Sequence, residues 1–231
     1  MELLVDIGNS RSKARLFDAG QLTEIQLENI SAEQWSQIKA VYCASVAADS
    51  RVLAIRQQAP SAIPFIQIQS EAQAFGVSNS YQQPHLLGVD RWLALVAAAE
   101  LYPNTDLLIA DAGTALTIDW LSSAGQHQGG WIMAGQKLQQ EAVLSKTAKV
   151  FSKELETAQL SPATDTATAL YQGAIAALVG AIRQAFALQP VQLIVLTGGD
   201  ALLLQKYLTD LPVRVEPQLI FQGLARYIPP N

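Results

Sequence analysis

Leu3-Leu4-Val5-Asp6-Ile7-Gly8-Asn9-Ser10 opens the chain, and Leu107-Leu108-Ile109-Ala110-Asp111-Ala112-Gly113-Thr114-Ala115 repeats its pattern near the middle. Each stretch is an apolar run that ends in Asp-x-Gly, then small polar residues, then a second apolar stretch. A short apolar run bounded by turn residues reads as a buried strand, and polar–apolar alternation after the turn reads as its returning partner. Residues 2–7 fit the first description and residues 13–18, Lys-Ala-Arg-Leu-Phe-Asp, fit the second. Gly8-Asn9-Ser10-Arg11-Ser12 is the turn between them. Strands at 107–111 and 115–121 repeat the arrangement. Two such hairpins, half a chain apart, suggest two matching walls around one phosphate chain.

Outward from the hairpins, strands alternate with helices. Strands are expected at 39–46 and 63–68, with a helix at 49–58 between them. Residues 76–84 are rich in Gly, Ser, Asn, Gln and Pro and read as a loop, followed by an Ala- and Leu-rich helix from about 90 to 101. Tyr102-Pro103-Asn104-Thr105-Asp106 ends it and marks a boundary between halves 1–103 and 104–231. The second half carries helices at 136–146 and 166–188, a buried strand at 191–196 ending in Thr197-Gly198-Gly199-Asp200, a further helix and a short strand at 213–215. This mixture indicates an α/β class.

Composition narrows the functional classes. Half of the 231 residues are hydrophobic, enough for a sizeable core. The formal net charge of −5 and the absence of any Lys/Arg run argue against a nucleic-acid surface, which must neutralise phosphates. No apolar run approaches the roughly 18 residues of a membrane span. The first residues lack a secretory signal, and a lone Cys43 cannot form an internal disulfide. A cytoplasmic location is the expectation.

Gly8 permits close backbone approach and an unusual φ. Consecutive N–H groups in such a turn can form an anion nest. Asn9 and Ser10 add donors, and Lys13 adds a positive charge. Asp6 has the same sign as phosphate, so it makes sense if hydrated Mg²⁺ lies between them. An ordinary Asp/Gly hairpin is the competing reading. Asp111-Ala112-Gly113-Thr114-Ala115 supplies a second acid, Gly and hydroxyl. Thr197-Gly198-Gly199 adds a Gly-rich corner suited to a nucleotide lying on backbone. Neither Gly-x-x-x-x-Gly-Lys-[Ser/Thr] nor Gly-x-Gly-x-x-Gly occurs.

Tyr81-Gln82-Gln83-Pro84-His85-Leu86-Leu87-Gly88-Val89-Asp90-Arg91-Trp92 runs from loop into helix. Asp90 suits a helix cap, and Arg91 suits a bidentate clamp on a carboxylate. An acid beside a carboxylate-binding Arg is what a kinase of a hydroxy acid needs. The alternative is a capped helix with an exposed Arg and a core Trp. Cys43 reads as buried filling, and His127, in a Ser/Gly/Gln turn, reads as solvent-facing. The apolar stripe at 93–101 is core or a dimer face.

Taken together, these segments resemble the type III pantothenate kinases, of the superfamily of acetate and sugar kinases, heat-shock chaperones and actin. The resemblance rests on Asp6-Ile7-Gly8-Asn9-Ser10, on Tyr81 with Pro84 and Leu87-Gly88-Val89-Asp90-Arg91-Trp92, and on Asp111-Ala112-Gly113-Thr114-Ala115. It continues through Gly129-Gly130-Trp131-Ile132, Thr147-Ala148 and Thr197-Gly198-Gly199. Ser10 stands where Thr is usual and keeps the hydroxyl. Ala134-Gly135 stands where Pro-Gly is common.

The resemblance implies duplicated ribonuclease H-like halves of the actin-like ATPase kind, with mixed sheets flanked by helices and the site between the halves. It implies ATP-dependent phosphorylation of pantothenate to 4'-phosphopantothenate, the first step of coenzyme A biosynthesis. ATP would be bound by Asp6, Ile7, Gly8, Asn9, Ser10, Arg11, Ser12 and Lys13, helped by Thr114. Pantothenate would meet Tyr81, Gly88, Val89, Asp90 and Arg91, with Asp90 as proton acceptor. Thr166, seven positions before Gly173, fits a further substrate contact, with Thr164 as competitor. Asp111 would hold a monovalent cation, potassium or ammonium, and the chain would form a homodimer. The alternatives are a kinase of another small hydroxy acid or sugar, and a non-catalytic accessory or regulatory protein on the same scaffold.

Overall fold

Residues 1–147, 150–151 and 160–230 are described by a computed structural model of the chain. Ala148, half of the Thr147-Ala148 pair, lies outside the described residues.

The first half begins with β1 (Glu2–Ile7), β2 (Ser12–Asp18) and β3 (Gln21–Ile25). It continues with α1 (Ala32–Gln37), β4 (Val41–Ser45), α2 (Asp49–Gln58) and β5 (Phe65–Gln67). A two-residue ribbon, β6 (Gln73–Ala74) with β7 (Val77–Ser78), precedes α3 (Val89–Leu101). Then come β8 (Leu107–Ala112), β9 (Ala115–Leu121), β10 (His127–Ala134), α4 (Gln136–Lys146), α5 (Thr166–Leu188), β11 (Leu193–Thr197), α6 (Ala201–Gln205) and β12 (Val213–Val215). The chain closes with α7 (Leu219–Ala225).

These elements form two compact units. One comprises Met1–Pro103, Gly125–His127 and Gln218–Asn231, the other Asn104–Ala124 and Gln128–Pro217. The first unit carries a five-stranded sheet in the order β3-β2-β1-β4-β5, and the second a sheet in the order β10-β9-β8-β11-β12. In both, the Asp-x-Gly strand is central. It pairs antiparallel with the strand after its turn and parallel with a later strand. The duplicated α/β architecture expected from the repeated phrase is therefore present.

A central strand covered on both faces needs apolar residues at consecutive positions. Leu3, Leu4, Val5 and Ile7 are all fully buried, as are Leu107, Leu108 and Ala110. Burying each Leu or Ile contributes roughly 1.5–3 kcal/mol. One core cluster of the first unit gathers Leu3, Val5, Ile7, Val41, Cys43, Val52 and Ile55. Helices α3 and α7 pack on each other and against the same sheet. Their crossing is close: any Cβ at Gly223 would overlap the Leu93 carbonyl. Leu93, Ala94, Leu95, Val96, Ala97 and Ala98 are buried, so the 93–101 stripe serves as core. In the second unit α5 packs on β8 and β9, and Ile175, Leu178, Val179 and Ile182 fill that core.

Candidate active site

The end of β1 delivers Asp6 to the rim of the first sheet, directly opposite Lys13 in the hairpin register. The tip is tight, with the Gly8 N–H donating to the Arg11 carbonyl at 3.1 Å. Gly8 does not use a left-handed backbone; its constraint is space, since a Cβ would sit 3.2 Å from the Arg11 carbonyl oxygen. Asn9, Ser10, Arg11 and Lys13 are exposed and Ser12 is half-buried. Ile7 is fully buried, and its carbonyl accepts the Val46 N–H at 3.1 Å.

Asp90 lies close enough to Asp6 to act on it electrostatically. Burial first, then the Asp90 carboxylate, raise the Asp6 pKa to about 6, while Lys13 pulls it down. Two acids from distant segments thus share one neighbourhood beside the turn. Asp90 is not the helix cap: Gly88 takes that position, and Asp90 follows in the first turn of α3. Its Oδ1 accepts the Arg91 backbone N–H at 2.8 Å, and negative charge there is favoured by the helix dipole. Gly88 has a steric reason, because a Cβ would lie 2.6 Å from Asp90 Oδ1.

Arg91 is 5% exposed, so it is not the exposed Arg of the competing reading. Its Nη1 donates to the Tyr81 hydroxyl at 2.9 Å, and the guanidinium carbon lies 5.8 Å from the centre of the Tyr81 ring. Val89 is buried and offers a ligand only its backbone. Trp92 is core, its indole N–H donating to the Tyr227 hydroxyl at 2.8 Å. Asn79 braces the loop ahead of this segment. Its amide donates to the Glu71 and Pro84 carbonyls and its Oδ1 accepts the Tyr81 N–H.

His127 corrects the sequence expectation. It is fully buried, not solvent-facing, with Nδ1 3.1 Å from Ser80 Oγ and its ring stacked on Tyr81 at a 6.0 Å centroid separation. It therefore backs the residue that backs Arg91. Arg51, also unforeseen, reaches the first turn: its Nη1 donates to the Gly8 and Asn9 carbonyls at 2.6 and 2.7 Å. Adjacency to Gly129-Gly130 was the one signal for His127, and Arg51, one of two Arg on a polar helix, gave none. Cys43 is buried as expected, and burial raises its thiol pKa to about 12.

Asp111, Thr114 and Thr166 belong to the second unit. Asp111 sits at the end of β8, opposite Thr197 on β11 and Thr117 on β9. Gly198 has φ +89°, and a Cβ there would overlap the Asp111 carboxylate and the Ala112 carbonyl. The Gly135 N–H donates to the Thr114 carbonyl at 2.9 Å, and the Thr114 side chain is exposed. Thr166 is the first residue of α5, exposed, behind an Asp165 cap whose side chain accepts the Thr168 N–H. Thr164 lies just before the helix, also exposed.

A family model described as type III pantothenate kinase matches residues 2–187 of this chain. The chain belongs to that family. The type III pantothenate kinase of Colwellia psychrerythraea is 37% identical over 248 residues, covering 98% of this chain and 100% of the relative. The corresponding protein of Pseudoalteromonas translucida is 35% identical, covering 97% and 94%. Among solved structures, a conserved candidate Baf family transcriptional activator from Campylobacter jejuni superposes with a TM-score of 0.61. It is 23% identical and covers 97% of this chain and 96% of its own, a likeness that shows a shared fold. As a member of the pantothenate kinase family, the chain keeps both Asp-x-Gly turns and the Gly-x-Asp-Arg-Trp segment.

Proposed function

We propose that the Asp6 hairpin and the Tyr81–Arg91 segment carry the reaction that defines the family. The enzyme is a kinase that transfers the γ-phosphoryl of ATP to pantothenate, giving 4'-phosphopantothenate at the entry to coenzyme A biosynthesis. The observation that carries the site assignment is a buried guanidinium, Arg91, held on Tyr81 beside an acid that is itself within electrostatic reach of the hairpin acid.

Phosphoryl transfer passes through a loose transition state, so positioning and charge stabilisation dominate. The turn from Asp6 to Lys13 binds phosphates through backbone N–H groups, the Asn9 and Ser10 side chains and the Lys13 charge. Arg91 clamps the pantothenate carboxylate. Tyr81 orients the guanidinium through its hydroxyl and lies under it. Asp90, its carboxylate oriented by the Arg91 N–H, accepts the proton of the attacking hydroxyl. Thr114 contributes a hydroxyl to phosphate, and Thr166, in preference to Thr164, a further substrate contact.

Mg²⁺ fits the residues present. Two neighbouring carboxylates, one with its pKa raised to about 6 by burial and by the other, form a site whose electrostatics favour added positive charge. Mg²⁺ uses one or two carboxylates together with phosphate oxygens. Asp6 would hold it, and when bound it would supply charge neutralisation at the phosphates. A monovalent cation, potassium or ammonium, fits Asp111, whose carboxylate lies against the Gly198 backbone. A homodimer would cover Ile132, Leu138 and Val143, exposed apolar side chains of the second unit; light scattering measures it. A cytoplasmic location suits the reduced, buried Cys43.

The test is a coupled assay of ADP formation with ATP and pantothenate, with and without potassium. Turnover that depends on pantothenate is expected. Turnover with another hydroxy acid or a sugar, and none with pantothenate, would overturn the acceptor assignment.

A further inference from the structure

Arg51, in the first turn of α2, reaches back to the tip of the first hairpin. Nη1 donates to the Gly8 carbonyl at 2.6 Å and to the Asn9 carbonyl at 2.7 Å, and Nη2 lies 3.5 Å from Ser12 Oγ. These bonds also set the direction of the neighbouring amides. In each planar trans peptide unit the C=O and the next residue's N–H point in opposite directions. None of the described peptide bonds is cis. With the Gly8 carbonyl turned to Arg51, the Asn9 N–H faces away from it. With the Asn9 carbonyl turned to Arg51, the Ser10 N–H faces away as well. Two successive N–H groups aimed from one side of a turn are the donor pair of an anion nest.

We infer that Arg51 is a positioning residue for ATP: by holding two consecutive carbonyls it aims the Asn9 and Ser10 amides at a phosphate. The inference rests on the assignment of the Asp6 turn to ATP. Arg suits the task because its planar fork reaches several acceptors in fixed geometry, whereas a Lys ammonium is a single point charge. The guanidinium also offsets the partial negative charge of the carbonyls it holds, so the face of the turn left for phosphate is the donor face.

The experiment compares Arg51→Ala, Arg51→Lys and Lys13→Ala with the parent enzyme. KM for ATP, KM for pantothenate and kcat are measured, with thermal melts and ATP titration in the absence of pantothenate. Arg51→Ala should raise KM for ATP about 10- to 100-fold, the effect of losing hydrogen bonds to a charged group. KM for pantothenate should stay within about twofold, because that pocket is untouched. Arg51→Lys should recover only part of the loss, and added guanidinium ion at low concentration should restore part of the ATP affinity of Arg51→Ala.

A folded Arg51→Ala with parental ATP kinetics overturns the inference, as do equal rises in both KM values, which mark a general structural role. If Arg51→Ala does not fold, Arg51→Lys decides, and a parental KM for ATP there overturns it. Lys13→Ala separates the two levels. If it weakens ATP while Arg51→Ala does not, only the role of Arg51 falls. If neither weakens ATP, the hairpin is not the phosphate site, and that assignment falls with it.

Discussion

The two Asp-x-Gly hairpins occupy the same position in equivalent sheets, yet their tips are held by different means. Both are tied by one backbone bond at the same place, the Val46 N–H to the Ile7 carbonyl in the first and the Asp200 N–H to the Ala112 carbonyl in the second. To this the first adds a side chain, with Arg51 bonding the Gly8 and Asn9 carbonyls. The second adds backbone: the Gly135 N–H bonds the Thr114 carbonyl, and Gly198 lies against Asp111 with no room for a Cβ. A side-chain anchor can be weakened by degrees through substitution. A backbone anchor at a crowded glycine cannot, because the smallest side chain already collides. The acids differ as well. Asp6 shares its surroundings with Asp90 and Lys13, a group of charges that responds to pH. Asp111 is framed by two flanking strands and a left-handed glycine. The shared architecture thus leaves one adaptable turn, held in part by a side chain, and one fixed turn, held by crowded backbone.

The largest expected break comes on the adaptable side. Asp90→Asn should lower kcat by about 10²–10⁴-fold, the usual worth of general-base help, with ATP affinity close to parental. Normal turnover in that variant would remove Asp90 from the proton-accepting role.

Next, glycine substitutions contrast the two turns directly. Gly198→Ala must move Asp111 and backbone and must hold an Ala at φ +89°, so it should cost about 2–4 kcal/mol of stability in urea unfolding. Gly8→Ala has an ordinary φ and a single 3.2 Å contact, and should cost about 1 kcal/mol or less. Equal losses would erase the distinction between the anchors.

The pH dependence of the ligand-free enzyme sharpens the contrast between the acids. Asp6 is raised in the folded state from 3.8 to about 6, so the folded protein binds more protons than the unfolded chain between those values. The Asp6 contribution to stability is therefore full at low pH and is lost as pH rises through about 6. The loss should amount to roughly 2–3 kcal/mol. Asp6→Asn should flatten this slope and unfold at higher urea than the parent at neutral pH, while losing activity. A parent profile that does not fall between pH 4 and 7 would count against the crowded-acid account.

The smallest effect belongs to the fixed turn. Turnover should be severalfold higher in potassium than in sodium at equal ionic strength, and Asp111→Asn should lessen that preference. Equal rates in the two salts would remove the cation from Asp111.

Much of this was legible in the residues. The strand–turn–strand units, α2 at Asp49–Gln58, α4 at Gln136–Lys146 and α5 at Thr166–Leu188 follow from apolar periodicity and local turn chemistry. The grouping of Asp6, Tyr81, Asp90 and Arg91 was legible through resemblance. Less was legible where a local pattern admits several surroundings. His127, in a Ser/Gly/Gln stretch, gave every sign of a surface turn, yet the fold stacks it on Tyr81 and buries it. Gly88, not Asp90, caps α3, because the helix begins at Val89, and the Asp90 carboxylate accepts the Arg91 N–H from inside the first turn. Helix α7 drew no expectation at all, and its Gly223 allows the close contact with α3.

By itself, the sequence determined the class of the fold, the doubled hairpin and the kinds of chemical groups available. Period, glycine placement and the Asp-x-Gly turns are properties of a few consecutive residues. Only the tertiary structure decided which groups act on one another: Asp90 on Asp6, Tyr81 and His127 behind Arg91, and Arg51 on the first turn. Arg51 is separated from Gly8 by 43 positions and Ser80 from His127 by 47, so no local pattern encodes either pair. Their meeting depends on sheet order and helix packing, which bring polar groups together once the apolar residues are buried.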